Sequence, residues 1–213
     1  TGPIAHMRQN KWLTPISTET WLLENGSRRL IDSEINNYEW VNSRIRLVSK
    51  AGLISAEPVL ESVIGQFNPA VLNRNIGLQP TMTTINQYDN LGNPLEVLNN
   101  ITGQPQTVIM GYAGRLPIAT VPNARRSEVA YSSFETNETG GWTYTGSTQV
   151  QSPRSVMGNR AYNLATGSIS RNGIGTPSGQ YILSFWTRSG LASVSGANLI
   201  SSELNPHTNW TYW

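Results

Sequence analysis

Thr18-Glu19-Thr20-Trp21-Leu22-Leu23-Glu24-Asn25-Gly26-Ser27-Arg28-Arg29-Leu30-Ile31 decides the fold class. Asn25-Gly26 supplies the two positive-φ positions of a type I′ turn, whose twist matches that of paired strands, so residues 18–24 and 28–40 read as a β-hairpin. Residues 41–49 continue with period two and end at Gly52. Three more short strands follow at 82–88, 94–98 and 107–112, separated by Asp89-Asn90-Leu91-Gly92-Asn93 and by Asn100-Ile101-Thr102-Gly103. Helical periodicity is nearly absent. Residues 58–65 alone place Val59, Leu60, Val63 and Ile64 on one stripe, a short helix or a strand. The chain is expected to be all-β, built of consecutive hairpins.

Composition removes several chemistries. The 213 residues contain no Cys, which excludes disulfides, thiol nucleophiles and Cys-ligated metals. His6 and His207 are the only imidazoles, so a Ser-His-Asp triad or a two-histidine metal site would have to use them. Charged residues make up 13% of the chain, against about 25% in ordinary soluble domains, and Asn, Ser, Thr and Gln fill the difference. The net charge is +2, and the only basic pairs are Arg28-Arg29 and Arg125-Arg126. Two isolated pairs do not converge on one face as phosphate binding requires, so nucleic acid is not expected as a partner. No apolar run approaches the roughly 20 residues of a membrane helix. Residues 1–7 read as a remnant of cloning or as the interior of a longer protein, and the alternating aromatic strand 210–213 stops without a polar tail. The chain is therefore expected to be a piece of something larger.

Near residue 127 the composition shifts from Asn-rich turns to Gly and Ser with concentrated aromatics. Pro117 and Pro122 disfavour a central strand across 116–124 and mark it as a rigid connector. The expected organisation is 1–127 and 128–213.

Two segments resemble known families. Tyr88-Asp89-Asn90-Leu91-Gly92-Asn93-Pro94-Leu95 is similar to the YDxxGN repeat of the Rhs/YD-repeat surface proteins. Its mechanics follow from the residues: Tyr88 ends a strand as a half-buried ring, Asp89 bonds backbone amides ahead of it, and Gly92 takes φ above zero. Met110-Gly111-Tyr112-Ala113-Gly114-Arg115-Leu116-Pro117-Ile118-Ala119, with Asn123-Ala124, resembles the WGYNxxYPIAxxxNA segment that closes YD repeats in large secreted proteins of Bacteroidota. Met110 and Leu116 replace its Trp and Tyr. Tyr131-Ser132-Ser133-Phe134-Glu135-Thr136, then Gly140-Gly141-Trp142-Thr143-Tyr144-Thr145-Gly146, resembles the FExG…GW opening of carbohydrate-binding-module-like (galactose-binding-like) jelly rolls. Strands at 161–164, 167–170 and 181–186 would follow. Residues 128–213 are short for such a sandwich, which implies that at least one strand is missing or lies beyond Trp213. A segment of this kind, cut off at 128, is expected to fold poorly alone, with an open strand edge.

The jelly-roll resemblance implies that Glu135 helps hold a structural calcium ion. The residues themselves offer few carboxylates nearby and no late Asp, and read Glu135 as an exposed or turn-capping side chain. No other cofactor is expected. Trp142 and Trp186 are expected in the core, and Tyr144, Tyr181, Trp210 and Tyr212 are the candidates to stack on a glycan. Only Asp32 and Asp89 exist as Asp, Asp89 is claimed by its turn, and Glu34, Glu39, Glu57 and Glu61 sit as solvent-facing side chains do, which argues against a glycosidase pair and against an enzyme. Sequons at Asn25, Asn100, Asn137 and Asn209 occur about as often as chance gives in so Asn-rich a chain.

The expected function is non-enzymatic: a scaffold segment of a large secreted or cell-surface bacterial protein, associated with the outer membrane and partnered by the rest of its polypeptide or surface assembly. Glycan binding through the jelly-roll segment is the alternative, and part of a polymorphic-toxin shell a further one.

Overall fold

Antiparallel hairpins carry most of the chain, as the turn chemistry requires. The computed structural model describes residues 2–69, 77–145, 150–151, 155–174, 179–188, 190–206 and 209–213; Gly146 and His207 lie outside them. The chain is all-β apart from short helical turns.

A helix not anticipated from the sequence, α1 (Pro3–Gln9), comes first. Pro3 stands in its first turn, where a missing N–H costs nothing, and Met7 is its buried residue. Seven residues are too few to display a helical period. β1 (Ser17–Glu24) and β2 (Ser27–Val41) form the expected hairpin, with Glu24 opposite Ser27 and positive φ at Asn25 (49°) and Gly26 (78°). β2 does not run on through 41–49. Asn42 (φ 49°) and Ser43 (φ 62°) close a second two-residue turn into β3 (Arg44–Gly52), with Val41 opposite Arg44. The sequence conceals this turn because it contains no Gly.

Residues 58–65 hold both structures: β4 (Val59–Leu60) pairs with Arg29 and Leu30, and α2 (Glu61–Ile64) follows at once. Then come β5 (Thr81–Tyr88), β6 (Pro94–Asn99), β7 (Gln104–Gly111) and β8 (Leu116–Pro122). The sheet order is β1-β2-β3-β5-β6-β7-β8, with β4 beside β2. Residues 116–122 were expected as a connector; they form a strand, and β8 ends the sheet order, the one kind of strand that tolerates two prolines.

The chain divides into two compact units, residues 1–107 with 121–124 and residues 108–120 with 125–213. The division passes through the β7–β8 hairpin, whereas the compositional shift lies near 127.

In the first unit the register explains the core. Thr20 lies opposite Asp32 but Trp21 opposite Leu30, so Ile31 is an extra residue in β2. This bulge switches the inward face from Leu30 to Ser33 and Ile35 and leaves Ile31 exposed. Among the described residues of this unit, Leu30, Ile35, Ile64 and Met7 are the buried apolar side chains. Buried polar groups complete the interior. Gln79 Nε2 donates to Ser33 Oγ at 2.5 Å, Asn36 Nδ2 to the Pro15 carbonyl at 3.2 Å, Asn86 Nδ2 to Glu96 Oε1 at 2.9 Å, and Thr107 Oγ1 to the Ala124 carbonyl at 2.8 Å.

In the second unit the ladders are short. β9 (Thr143–Tyr144), β10 (Val150–Gln151), β11 (Arg160–Ala161), β12 (Ile169–Ser170), β13 (Trp186–Arg188), β14 (Glu203–Asn205) and β15 (Trp210–Tyr212) pair as β9 with β12, β10 with β11, and β15 between β13 and β14. The aromatic strand read at 210–213 is thus the centre of a sheet. The strand read at 161–164 shrinks to β11 and turns into a 3₁₀ helix at Leu164–Thr166, and that read at 181–186 keeps Trp186 alone within a ladder. Phe185 still exchanges both backbone bonds with Trp213, at 3.2 and 2.9 Å.

Candidate functional site

The turn at residues 88–93 is built as its residues dictate. Tyr88 closes β5, and its hydroxyl donates to the Leu47 carbonyl on β3. Asp89 Oδ1 accepts from the amides of Gly92 (2.7 Å) and Asn93 (2.8 Å), while Oδ2 accepts from Asn93 Nδ2 at 2.7 Å. Gly92 has φ 98°, and a Cβ there would overlap the Arg46 guanidinium. Two arginines of β3 brace the loop from outside, Arg44 Nη1 on the Asn90 carbonyl at 3.2 Å and Arg46 Nη2 on the Leu91 carbonyl at 3.3 Å. The turn is therefore locked from within by a carboxylate and held against β3 by a phenol and two guanidinium groups, which is structural chemistry. The bracing arginines were not foreseen; their alternation in Arg44-Ile45-Arg46 was the available signal.

Burial raises the Asp89 carboxyl, but the Asn93 side chain and the amides of Asn93, Gly92 and Leu91 outweigh it and hold the group below the ordinary carboxylate value. A lowered folded value means that Asp89 stabilises the fold fully above the ordinary carboxylate range and loses that contribution as pH falls through the lowered value. Asp89→Ala is expected to cost about 2 kcal/mol at neutral pH, the scale of charge-assisted hydrogen bonds. It is also expected to flatten the acid limb of Tm against pH, which thermal melts from neutral to acid pH would measure.

Residues 111–114 make the second lock. Tyr112, Ala113 and Gly114 all take left-handed φ (54°, 58° and 74°), and the Glu138 carboxylate accepts the Ala113 amide at 2.6 Å. The Thr136 hydroxyl first, then the amides of Glu138, Ala113 and Tyr112, hold Glu138 below the ordinary value against its burial. Gly111 is buried where a Cβ would stand 2.6 Å from Ile118 Cγ2, so the motif glycine is a packing requirement. Tyr112 and Pro117 are exposed.

Phe134 also takes a left-handed φ, 64°, costly for a bulky residue. Its neighbour Glu135 receives the amides of Asn159 (2.9 Å) and Arg160 (2.6 Å) on Oε1, and a Cβ on Gly158 would overlap the same carboxyl. A cation would have to displace those N–H donors, and no group of three His, Cys, Asp or Glu side chains stands together among the described residues. Through these two amides the side chain clips the start of β11.

The aromatic candidates separate. Phe134, Tyr144 and Tyr162 form a tilted triad with centroids 5.3–5.9 Å apart. Trp210 is 9% exposed and therefore interior, and Trp142 is half-buried. Trp186, expected in the core, is 41% exposed and lies 5.1 Å from Tyr212, which is exposed too, as is Tyr181. In β13 it is Thr187 that turns inward, 8% exposed, so its neighbours Trp186 and Arg188 face outward.

A concavity of another kind lies in the first unit: a cleft of about 630 Å³. Ser17, Glu19 and Trp21, alternate residues of β1, form its floor; Arg28, Glu61, Gln66 and Phe67 line it from β2 and the segment after β4. Glu19 Oε1 accepts from Ser17 Oγ (3.2 Å) and Oε2 from Trp21 Nε1 (2.9 Å). The Arg28 guanidinium carbon lies 4.3 Å from the Trp21 ring centroid, and Nη1 reaches Glu61 Oε1 at 2.9 Å. Sequence reading missed this cleft because its walls come from residues 40 positions apart. Neither a protein family nor a curated protein or solved structure matches the chain.

Proposed function

We propose that the chain is a non-enzymatic β-scaffold segment of a large secreted or cell-surface bacterial protein, with a jelly-roll-like second unit that a larger assembly covers. The observation that carries this reading is the apolar surface of the second unit. Ile182 is 87% exposed and Ile200 85%, and Leu183, Leu191, Leu199 and Leu204 are exposed as well. So many large apolar side chains in about 25 residues exceed the scattered exposure of ordinary surfaces, which supports a covering surface in the larger assembly. The locked turns at 88–93 and 111–114 support rigidity, and the likeness of these turns to YD-repeat proteins supports the surface location.

The exposed Trp186–Tyr212 pair favours a second reading, glycan binding by this unit. The test is fluorescence of a hydrophobic dye with the 213-residue chain and with the full polypeptide its gene encodes. The scaffold reading expects strong dye binding by the 213-residue chain and its loss in the full polypeptide. Weak dye binding by both would overturn it.

A further inference from the structure

The cleft over β1 has a lining of mixed chemistry. Three of its side chains are apolar, Ile16, Trp21 and Phe67; the other six, Thr14, Ser17, Glu19, Arg28, Glu61 and Gln66, carry hydrogen-bonding groups. Its volume of about 630 Å³ falls in the range of small-ligand sites. Period-two geometry sets the side chains of Ser17, Glu19 and Trp21 in a row about 6.8 Å apart on one face of the strand. The row is ordered by its own bonds, Ser17 and Trp21 both donating to Glu19. Arg28 is fixed in turn by the Trp21 ring on one side and Glu61 on the other. The donors and acceptors are therefore positioned before a ligand arrives, which lowers the entropy that binding would otherwise lose.

The composition selects the ligand. An apolar molecule would remove Glu61, Arg28 and Gln66 from water without replacing their hydrogen bonds, which disfavours it. An anion would face two carboxylates with one guanidinium to meet it. A cation would have to prise Arg28 from both Glu61 and Trp21. A neutral molecule rich in hydroxyls meets none of these obstacles. Each carboxylate has about four acceptor positions, so it can take hydroxyl donors while keeping its present bonds, and the Arg28 guanidinium and Gln66 amide donate to hydroxyl oxygens. Trp21 and Phe67 offer apolar surface of the kind that the C–H faces of sugar rings cover.

We propose that this cleft binds a neutral oligosaccharide. The site belongs to the first unit and is independent of the aromatics of the second unit and of the scaffold reading. The test is calorimetric titration of the 213-residue chain with cello-, xylo-, manno- and chito-oligosaccharides, with oligogalacturonate and spermine as charged controls. At least one neutral series is expected to bind, weakened about tenfold or more by Trp21→Ala and by Glu61→Gln, each equivalent to roughly one lost hydrogen bond or stacking contact. Tyr212→Ala is expected to leave that binding unchanged. Circular dichroism of the variants separates loss of the site from loss of the fold, and the near-isosteric Glu61→Gln removes only an exposed ion pair. Failure of every neutral series to bind, preferential binding of either charged probe, or sensitivity to Tyr212→Ala without sensitivity to Glu61→Gln would overturn the proposal. None of these outcomes bears on dye binding, so the scaffold reading fails or stands separately.

Discussion

Residues 128–213 expressed alone are expected to give no cooperative thermal transition, whereas residues 108–213 are expected to give one. The second unit includes 108–120, and these residues supply groups that the remainder lacks. Ile109 is 2% exposed and lies beside Gly140. Gly111 packs at Thr136, and the Ala113 amide donates to Glu138 Oε1. Truncating one buried Ile to Ala typically costs about 2–5 kcal/mol. Removing the whole hairpin also strands a half-buried carboxylate, and together these reach the roughly 5–15 kcal/mol that stabilises a whole domain. Circular dichroism melts of the two fragments decide the matter: equal, sharp transitions would show that the hairpin is dispensable.

The second large effect is expected at Gly140, which is buried with φ 60°. A Cβ there would land on the carbonyl of Tyr131, whose own amide donates to the Gly140 carbonyl at 2.9 Å. Backbone cannot swing aside as a flexible side chain can. Gly140→Ala therefore combines about 1–2 kcal/mol for the left-handed conformation with about 1–3 kcal/mol for overpacking. Gly26→Ala is the matched comparison: its φ is 78°, but no heavy atom stands within 4 Å, so it incurs the conformational cost alone. Urea unfolding followed by near-ultraviolet circular dichroism is expected to show Gly140→Ala as clearly the more damaging substitution. Equal effects would mean that strain at φ, not the Tyr131 contact, fixes the glycine.

Local chemistry made much of this fold readable in advance. Asn25-Gly26 announces its own turn, and Asp89 with Gly92 announces another, because the residues that define those turns are adjacent in sequence. Where two equally good turn residues lack Gly, as at Asn42-Ser43, alternation runs straight through the turn and the strand is read as continuous. The prolines at 117 and 122 were read as a connector because a sequence does not say which strand will end a sheet. Phe134 and Glu135 were recognisable as a pair, but what the carboxylate meets, the amides of Asn159 and Arg160, depends on a loop 24 positions away. The cleft is the extreme case. Glu61 looks like an ordinary solvent-facing carboxylate until the chain brings 17–21 and 61–67 together.

The arginine braces on the 88–93 turn give it a physical purpose beyond the hairpin itself. Arg44 and Arg46 hold its loop onto β3, so the turn ties a later hairpin to an earlier one. In the second unit, the exposed Ile182, Ile200 and Leu204 are the side chains that the proposed covering surface would bury.

Peptide-resolved hydrogen exchange tests that claim most directly, comparing the 213-residue chain with the full polypeptide its gene encodes. The account predicts strong protection of β2, β5 and β6 in both, rapid exchange of residues 179–213 in the shorter chain, and marked slowing of that segment in the longer one. Equal protection of 179–213 in the two would contradict it.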